Sequence, residues 1–578
     1  MRRWARGLSL LLSWIGAGLG ALAAQEQVFT RQADGRQLCS VQVAPYFGSG
    51  IGWGASFVRV EAVGVDSQPH RIEIDIKNPS WVQADVSLHR VVQLQPGERT
   101  RLFLLLPTAV MSNFDLYVTI DGDPEYSDLQ TNRGGGLAGL LVTDRPELLA
   151  GAVDVMQQLQ RSTKVKPDIE VCAAGDLPDD WRMFTAFHLV LVDGRGNLPG
   201  PQQEALRRFV HAGGSVAVGG PQLLPAGALR ELGEQAQRDG VVRHGLGRCV
   251  ALDPRFSGEA TAAAIAELPA PGAGVWPLSR DLRDPLEIPG LGNVPITVFL
   301  LVILAFAVVA GPVNFMALRR RKQPMLALVT VPLLGFGTTA VMLLYGLLHD
   351  GFGVRGSIRS WSLLDQRRHE VAAVATEALF SGFTPGAFPV AADRLLLAPM
   401  AQQRANSRSP HRWHFDGDNN TIDGGILPSR TVTPLVTGTQ TACRQRLRVK
   451  AGPDGGLRAV SDDLRPRGDL LLRDRDGTYW RGTDGVLQRT SQQDAEARLR
   501  QLRWGAAAYV GVDLSDSSTT SATVAFVREL GGKSELPVGS YLGRFEAPPW
   551  LDGGGLQAEH LSGDHLVFGL MSPEDFLP

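Results

Sequence analysis

Two uncharged apolar runs, residues 294–318 and 325–348, constrain this chain more than any other feature; they are 25 and 24 residues long. About 20 apolar residues cross a bilayer as a helix. A buried helix of a soluble protein normally keeps a polar stripe, and neither run has one. Only residues 319–324 separate them, so the sequence predicts a tight transmembrane hairpin. Gly311, Pro312 and Pro332 lie inside the runs, as kinks that neighbouring helices tolerate. Asn314 is the one strongly polar side chain there, and a helix–helix hydrogen bond is its expected use. The loop carries Arg319, Arg320, Arg321 and Lys322 in a row. Cytoplasmic loops collect Lys and Arg close to the membrane, whereas the outer flanks "RDPLEIPGLGN" and "HDGFGVRG" are mixed in sign. These four cations are the topology-determining residues. They put the loop in the cytoplasm and both flanks outside it.

The first 23 residues point the same way. Arg2, Arg3 and Arg6 form a basic start, residues 8–22 are uncharged, and Ala21-Leu22-Ala23 gives a small-x-small cleavage pattern. This reads as a secretory signal peptide over 1–23. An uncleaved anchor is the alternative, and both readings export the chain from residue 24 onward. No Cys marks a lipoprotein cleavage point. The expectation is a multi-pass protein of an inner or plasma membrane with both large regions extracytoplasmic.

A chain of 578 residues exceeds one core and calls for three or four units. Lys and Arg total 57 against 59 Asp and Glu. That balance gives no electrostatic case for nucleic acid, which asks for a basic face. Residues 24–132 read as short strands and turns. "SFVRVEAVGV" and "HRIEIDIKN" alternate with period two, and strands recur at β-sandwich spacing. The unit is expected to be immunoglobulin-like in architecture only, since it lacks a Cys-Trp-Cys signature. "GSGIGWG" precedes a β-run and so reads as a turn. Over 133–275 strands alternate with helices, the pattern of a doubly wound parallel sheet. Residues 276–293 read as a linker. Residues 349–578 read as a β-rich domain with Asp-Gly turns at Asp476-Gly477 and Asp484-Gly485 and one helix over 492–502. The fold class expected is a multidomain α+β membrane protein: β-sandwich, doubly wound α/β domain, two-helix transmembrane hairpin and β-rich C-terminal domain.

The segment "HLVLVDGRGNLPGPQQEALRRFVHAGGSVAVGGP" resembles the class I glutamine amidotransferase-like fold, with a strand, an Asp-Gly loop, a helix ending in "AGG" and a strand ending in Gly-Gly. The likeness covers about a quarter of the chain. It implies a Cys on a sharp strand-to-helix turn, paired with a later His. Here "SVAVGG" runs into "PQLLPAG" with no Cys. Cys249 lies in a strand-like run, and His244 has no acidic partner in register. The resemblance thus implies a degenerate domain kept as a scaffold. The whole arrangement also resembles bacterial two-pass envelope membrane proteins, families that bring topology and no established activity.

His411 and His414, followed by Asp416, Asp418 and Asp423, have metal-ligand chemistry. "DGDNNTID" lacks the mid-loop Gly and closing Glu of a calcium loop, and Asp, Asn and Gly gather in turns for backbone reasons. The expectation is a solvated loop and no metal. Cys39, Cys172, Cys249 and Cys443 are expected outside, where disulfides are permitted. Cys172 with Cys249 is the pair best placed, with two buried free thiols as the weightier reading. No G-x-S-x-G elbow, phosphate-binding Gly-rich loop, H-E-x-x-H or C-x-x-C occurs. No catalytic residue and no cofactor is expected. The function expected is a non-enzymatic envelope protein, with the lipid bilayer and other envelope or membrane proteins as partners. An envelope hydrolase or amidase with an unassigned site, and an accessory subunit of a transporter, are the alternatives.

Overall fold

The structure is a computed structural model. It describes residues 26–577, apart from 35, 48–53, 78–85, 108–112, 131–136, 160–167, 258, 267, 269–285, 287, 290, 292–295, 351–352, 392, 398–410, 415–419, 423–424, 453, 462, 510–534 and 552–557. The signal segment and most of the expected linker lie outside the described residues.

The first region holds β1 (Gln27–Ala33), β2 (Arg36–Tyr46), β3 (Ala55–Gly64), β4 (His70–Lys77), β5 (Val86–Leu94), β6 (Arg99–Pro107), β7 (Asn113–Ile120) and β8 (Asp123–Gln130). One sheet runs β1-β2-β3-β6, and β5-β4-β7-β8 run together in a second. The period-two pattern explains the packing. In β4, His70, Ile72, Ile74 and Ile76 are buried while the residues between them are not. Those isoleucines meet Val41, Val43, Val58 and Val60 of the other sheet in one core.

Next come β9 (Ala138–Val142), α1 (Leu149–Leu159), β10 (Asp168–Cys172), β11 (Leu189–Asp193), α2 (Gly200–His211), β12 (Ser215–Gly219), α3 (Ala228–Asp239), β13 (Val241–His244), β14 (Gly247–Leu252) and α4 (Glu259–Ala266). The sheet order is β10-β9-β11-β12-β14-β13, parallel except for β13. "AGLLV", "LVLVD" and "SVAVG" are buried at every position, as a parallel sheet covered on both faces requires. Val190, Val192, Val216 and Val218 pack with α2 and α3. Leu189, Leu191 and Ala217 pack with α1 and α4.

Two helices long and apolar enough to cross a membrane come next, Phe299–Arg320 and Ala327–Tyr345, with mean hydropathies of 2.4 and 2.0. The first is α5 (Ile296–Val308), a π turn (Val309–Val313) and α6 (Asn314–Arg320); the second is α7 (Ala327–Asp350). Pro312 falls in the wide π turn, a usual way for a helix to absorb a residue without an N–H. Asn314 Nδ2 donates to Thr330 Oγ1 at 2.8 Å, so the polar side chain finds its partner on the other helix. Leu300, Leu304 and Phe336 are exposed on the outside of the pair.

The last region begins with β15 (Val354–Asp365) and β16 (Glu370–Ser381), succeeded by β17 (Phe388–Val390), β18 (Arg394–Leu397), β19 (His411–His414), β20 (Asn420–Ile422) and β21 (Val432–Ala442). β15, β16, β18 and β21 belong to a twelve-stranded sheet. β17, β19 and β20 do not. They extend the second sheet of the first region, in the order β17-β20-β19-β5-β4-β7-β8. β19 lies parallel to β5, with His411 opposite Val86 and His414 opposite His89. Residues 349–578, expected as one unit, are therefore shared between two sheets. The physical reason is the edge of β5, whose Leu88 shares a core with Trp413 and Ile422. The stretch "HRWHFDGDNNTIDGG", expected as a loop, contributes strands at both His411–His414 and Asn420–Ile422. The expected helix over 492–502 is present as α8 (Gln492–Tyr509).

One core joins the regions. Tyr46 and Phe57 of the first sheet, Phe184 and Phe209 of the α/β region, and Trp361 and Val374 of the last sheet belong to one buried cluster. Ala55 N–H donates to Thr185 Oγ1 at 2.8 Å, and Arg101 pairs with Asp176 at 3.0 Å.

Candidate functional site

In an open parallel sheet, ligands bind beyond the carboxyl ends of the strands, where the strand order reverses. Here the reversal lies between β9 and β11. Asp193, the last residue of β11, is buried there. Its carboxylate accepts from Arg145 Nε at 2.8 Å and Nη2 at 2.7 Å, from Thr143 Oγ1 at 2.8 Å and from Arg195 N–H at 3.0 Å. These donors hold the carboxyl below the usual carboxylate range against the opposing effect of burial. With four donors on two oxygens, Asp193 has little capacity left to act as a base. It ties the loop after β9 to the loop after β11.

The next loop is closed by backbone. Gly194 N–H donates to Gly219 O at 2.8 Å, and a Cβ on Gly194 would fall 2.2 Å from Gly220 O. Only glycine fits at that approach. Gly220 itself is left-handed, with φ 66° and ψ 63°, and Pro221 opens the adjoining turn. This is the sharp strand-to-helix turn, and its residue has no side chain.

Cys249 sits in β14 beside Val242. It is fully buried, and burial pushes its thiol up to about 12. A nucleophilic thiol needs the opposite shift. Cys172 lies in β10, four strand positions from β14 in the sheet order, roughly 19 Å at about 4.8 Å per strand. That span excludes the Cys172–Cys249 disulfide. All four cysteines are free and buried.

His244 has an acidic neighbour that sequence reasoning missed, because it lies 126 positions onward, at the turn into β16. Glu370 Oε2 is 3.9 Å from His244 Nε2 and 3.8 Å from His211 Nε2. The two imidazoles meet edge to face at 5.3 Å. Arg207 bridges His244 and Glu370. It donates to His244 Nε2 at 2.7 Å and to Glu370 Oε2 at 2.8 Å, and it also pairs with Glu204 at 2.7 Å. Beside it, Arg208 Nη2 donates to the Gln440 carbonyl at 2.8 Å. Burial and the adjacent guanidinium push both histidines down to about 3, so both are neutral at physiological pH. The only hint in the sequence was the pairing of two arginines and a histidine on one turn of α2. The arrangement locks α2 onto the twelve-stranded sheet.

His414 packs edge to face on His89 at 5.6 Å, and His89 Nδ1 lies 3.0 Å from Asp75. Asp416, Asp418 and Asp423 lie outside the described residues. Among the described residues, no group of three or more His, Cys, Asp or Glu side chains could hold a metal ion.

Arg319, Arg320, Arg321 and Lys322 are exposed at the hairpin turn. Lys322 is left-handed at φ 54°. Lys322 N–H donates to Arg319 O at 3.1 Å and Gln323 N–H to Leu318 O at 3.1 Å. This is a Schellman closure with lysine where glycine is usual. The cations also sit at the negative end of the helix dipole.

No family model and no curated protein matches the chain. Solved structures with partial likeness include a Paenibacillus sp. cycloisomaltooligosaccharide glucanotransferase, at 8% identity over 30% of this chain and 27% of that one, with a TM-score of 0.14. A calcium binding mutant of Bacteroides uniformis beta-glucuronidase 2 aligns at 8% identity over 33% of this chain and 24% of that one, with a TM-score of 0.12. The chain spans about a quarter of the length of each. Likeness at this level carries no argument about fold or activity.

Proposed function

We propose that this chain is a non-enzymatic, membrane-anchored envelope protein whose extracytoplasmic body binds a partner or assembles into a membrane complex. The observation that carries the reading is the pairing of β19 with β5 across the hairpin. Strands that share a ladder occupy one compartment, so the chain between them crosses the membrane an even number of times. Two apolar helices meet that requirement, and the four exposed cations at their turn favour a cytoplasmic loop. The α/β region supports the scaffold reading through its carboxyl edge and the interior of β14. Glycine stands at the sharp turn, Asp193 is spent on Arg145, and Cys249 is buried and protonated. The amidotransferase-like resemblance then describes a framework whose surface, rather than a reactive group, does the work.

Impermeant thiol labelling of intact cells tests the topology. Cysteines introduced at exposed Val65 and Val538 should both label from outside, and one at Lys322 should not. Crosslinking in membranes followed by purification in detergent tests the partner. Recovery as a lone monomer counts against the complex, and an activity lost in Cys249→Ala or His244→Ala variants would replace it with the hydrolase reading.

A further inference from the structure

We propose that the turn over residues 382–387 is a third membrane contact, with Phe383 seated at the boundary between headgroups and acyl chains of the outer leaflet. The inference rests on the reading that the hairpin spans the bilayer. Asp350 ends α7, and β15 starts at Val354, so the start of β15 lies within about 14 Å of the helix end. Val354 pairs with Ser381 at the close of β16, and Gly382 N–H donates to Gly353 O at 3.2 Å. The approach to the first helix arrives at the same strand ends. Leu286 and Ile288, ten and eight residues before α5, pack against Ala378 and Phe380 of β16. Both ends of the hairpin therefore converge on one end of β16, and the turn at 382–387 leaves from that end.

Its chemistry fits a lipid surface. Residues 381–392 contain no charged side chain, in a chain where one residue in five is charged. Phe383 is 56% exposed, whereas Phe380 and Phe388 on either side are buried. Beside the turn, Arg430 N–H donates to Ser381 O at 2.7 Å, so an exposed arginine adjoins the uncharged stretch. Apolar side chains backed by basic ones are the pattern of interfacial binding. The contact is continuous with the hairpin and adds a point that resists rocking of the body on its two helices.

The test uses the full chain in nanodiscs of phosphatidylcholine and phosphatidylglycerol. The native cysteines are buried, so a nitroxide reports from an introduced thiol. Phe383→Cys is compared with Phe336→Cys in the middle of α7 and Val538→Cys on the outer body. The expected result is an oxygen-to-nickel-chelate accessibility ratio several-fold above that at 538 and below that at 336. A ratio at 383 equal to that at 538, with 336 reading as lipid, overturns the contact while leaving the hairpin intact. Shielding of 383 from both reagents overturns it in favour of a protein cover. An aqueous reading at 336 overturns both.

Discussion

Asp193 and the histidine pair show how single residues were or were not legible. "LVLVDG" announced a buried strand and a turn, and both are present. It did not announce that Asp193 would be neutralised by Arg145, 48 positions earlier, because ion pairing across a sheet leaves no periodic trace. Arg145 is about a quarter exposed, so losing its charged hydrogen bonds to the buried carboxylate costs about 1.5–3 kcal/mol, and Asp193→Asn should lower thermal stability in a melting scan while leaving secondary structure unchanged. Its pKa direction fixes the sign of the acid response. A depressed carboxylate contributes stability above its unfolded value and loses it as pH falls through the folded one. His211 and His244 act in a higher window. Each is near 3 folded against about 6.5 unfolded. The unfolded chain therefore binds more protons between those values, and stability falls as pH drops below 6.5. Each histidine contributes a slope of up to about 1.4 kcal/mol per pH unit there. His244→Gln, whose amide oxygen can still accept from Arg207, should flatten the melting temperature profile between pH 6.5 and 4.5. An unchanged slope would show that these rings do not stay neutral.

Among elements, the hairpin was the most legible because its signal is local: two uncharged runs and four cations in a row. Even the hydrogen bond of Asn314 could be foreseen, since an amide in hydrocarbon has few other options. A double-mutant cycle on Asn314→Ala and Thr330→Ala should give a coupling of about 0.6 kcal/mol, the usual size for such bonds in a bilayer. It can be read by detergent unfolding of the full chain. Changing Arg319, Arg320, Arg321 and Lys322 together to glutamine should produce a mixed population of orientations, seen as partial loss of outside labelling at a Val538→Cys thiol. The strands β17, β19 and β20 were the least legible elements. They are three or four residues long, too short for a period-two pattern to rise above chance, and they are flanked by Asp, Asn and Gly that favour turns. What makes them strands is the edge of β5, far away in the sequence.

At the scale of the whole molecule, that pairing removes the independence that the sequence implied for its outer regions. The alternation in β4 and the unbroken apolar strands of the α/β region specified their own sheets correctly. Nothing local could specify that the second sheet would be finished by strands from beyond the apolar hairpin. Trp413 is buried in the core built by Ile72, Ile74 and Ile76, and Trp→Ala in a core costs about 3–5 kcal/mol. Trp413→Ala should therefore speed amide exchange in β4 and β5 more than in β15 and β16, by hydrogen-exchange mass spectrometry. Equal acceleration everywhere would mean that the sandwich is not the unit it stabilises. The same pairing sets a schedule for biogenesis. Val86 and His411 stand 325 positions apart, and at about 5–20 residues per second the ribosome needs roughly 16–65 s to travel between them. On the proposed topology, the edge of β5 stands in the envelope without its neighbour for that interval, while both helices are threaded into the bilayer. On that same topology the second sheet is completed only by strands made after the hairpin, so its completion doubles as a certificate that the hairpin was inserted correctly.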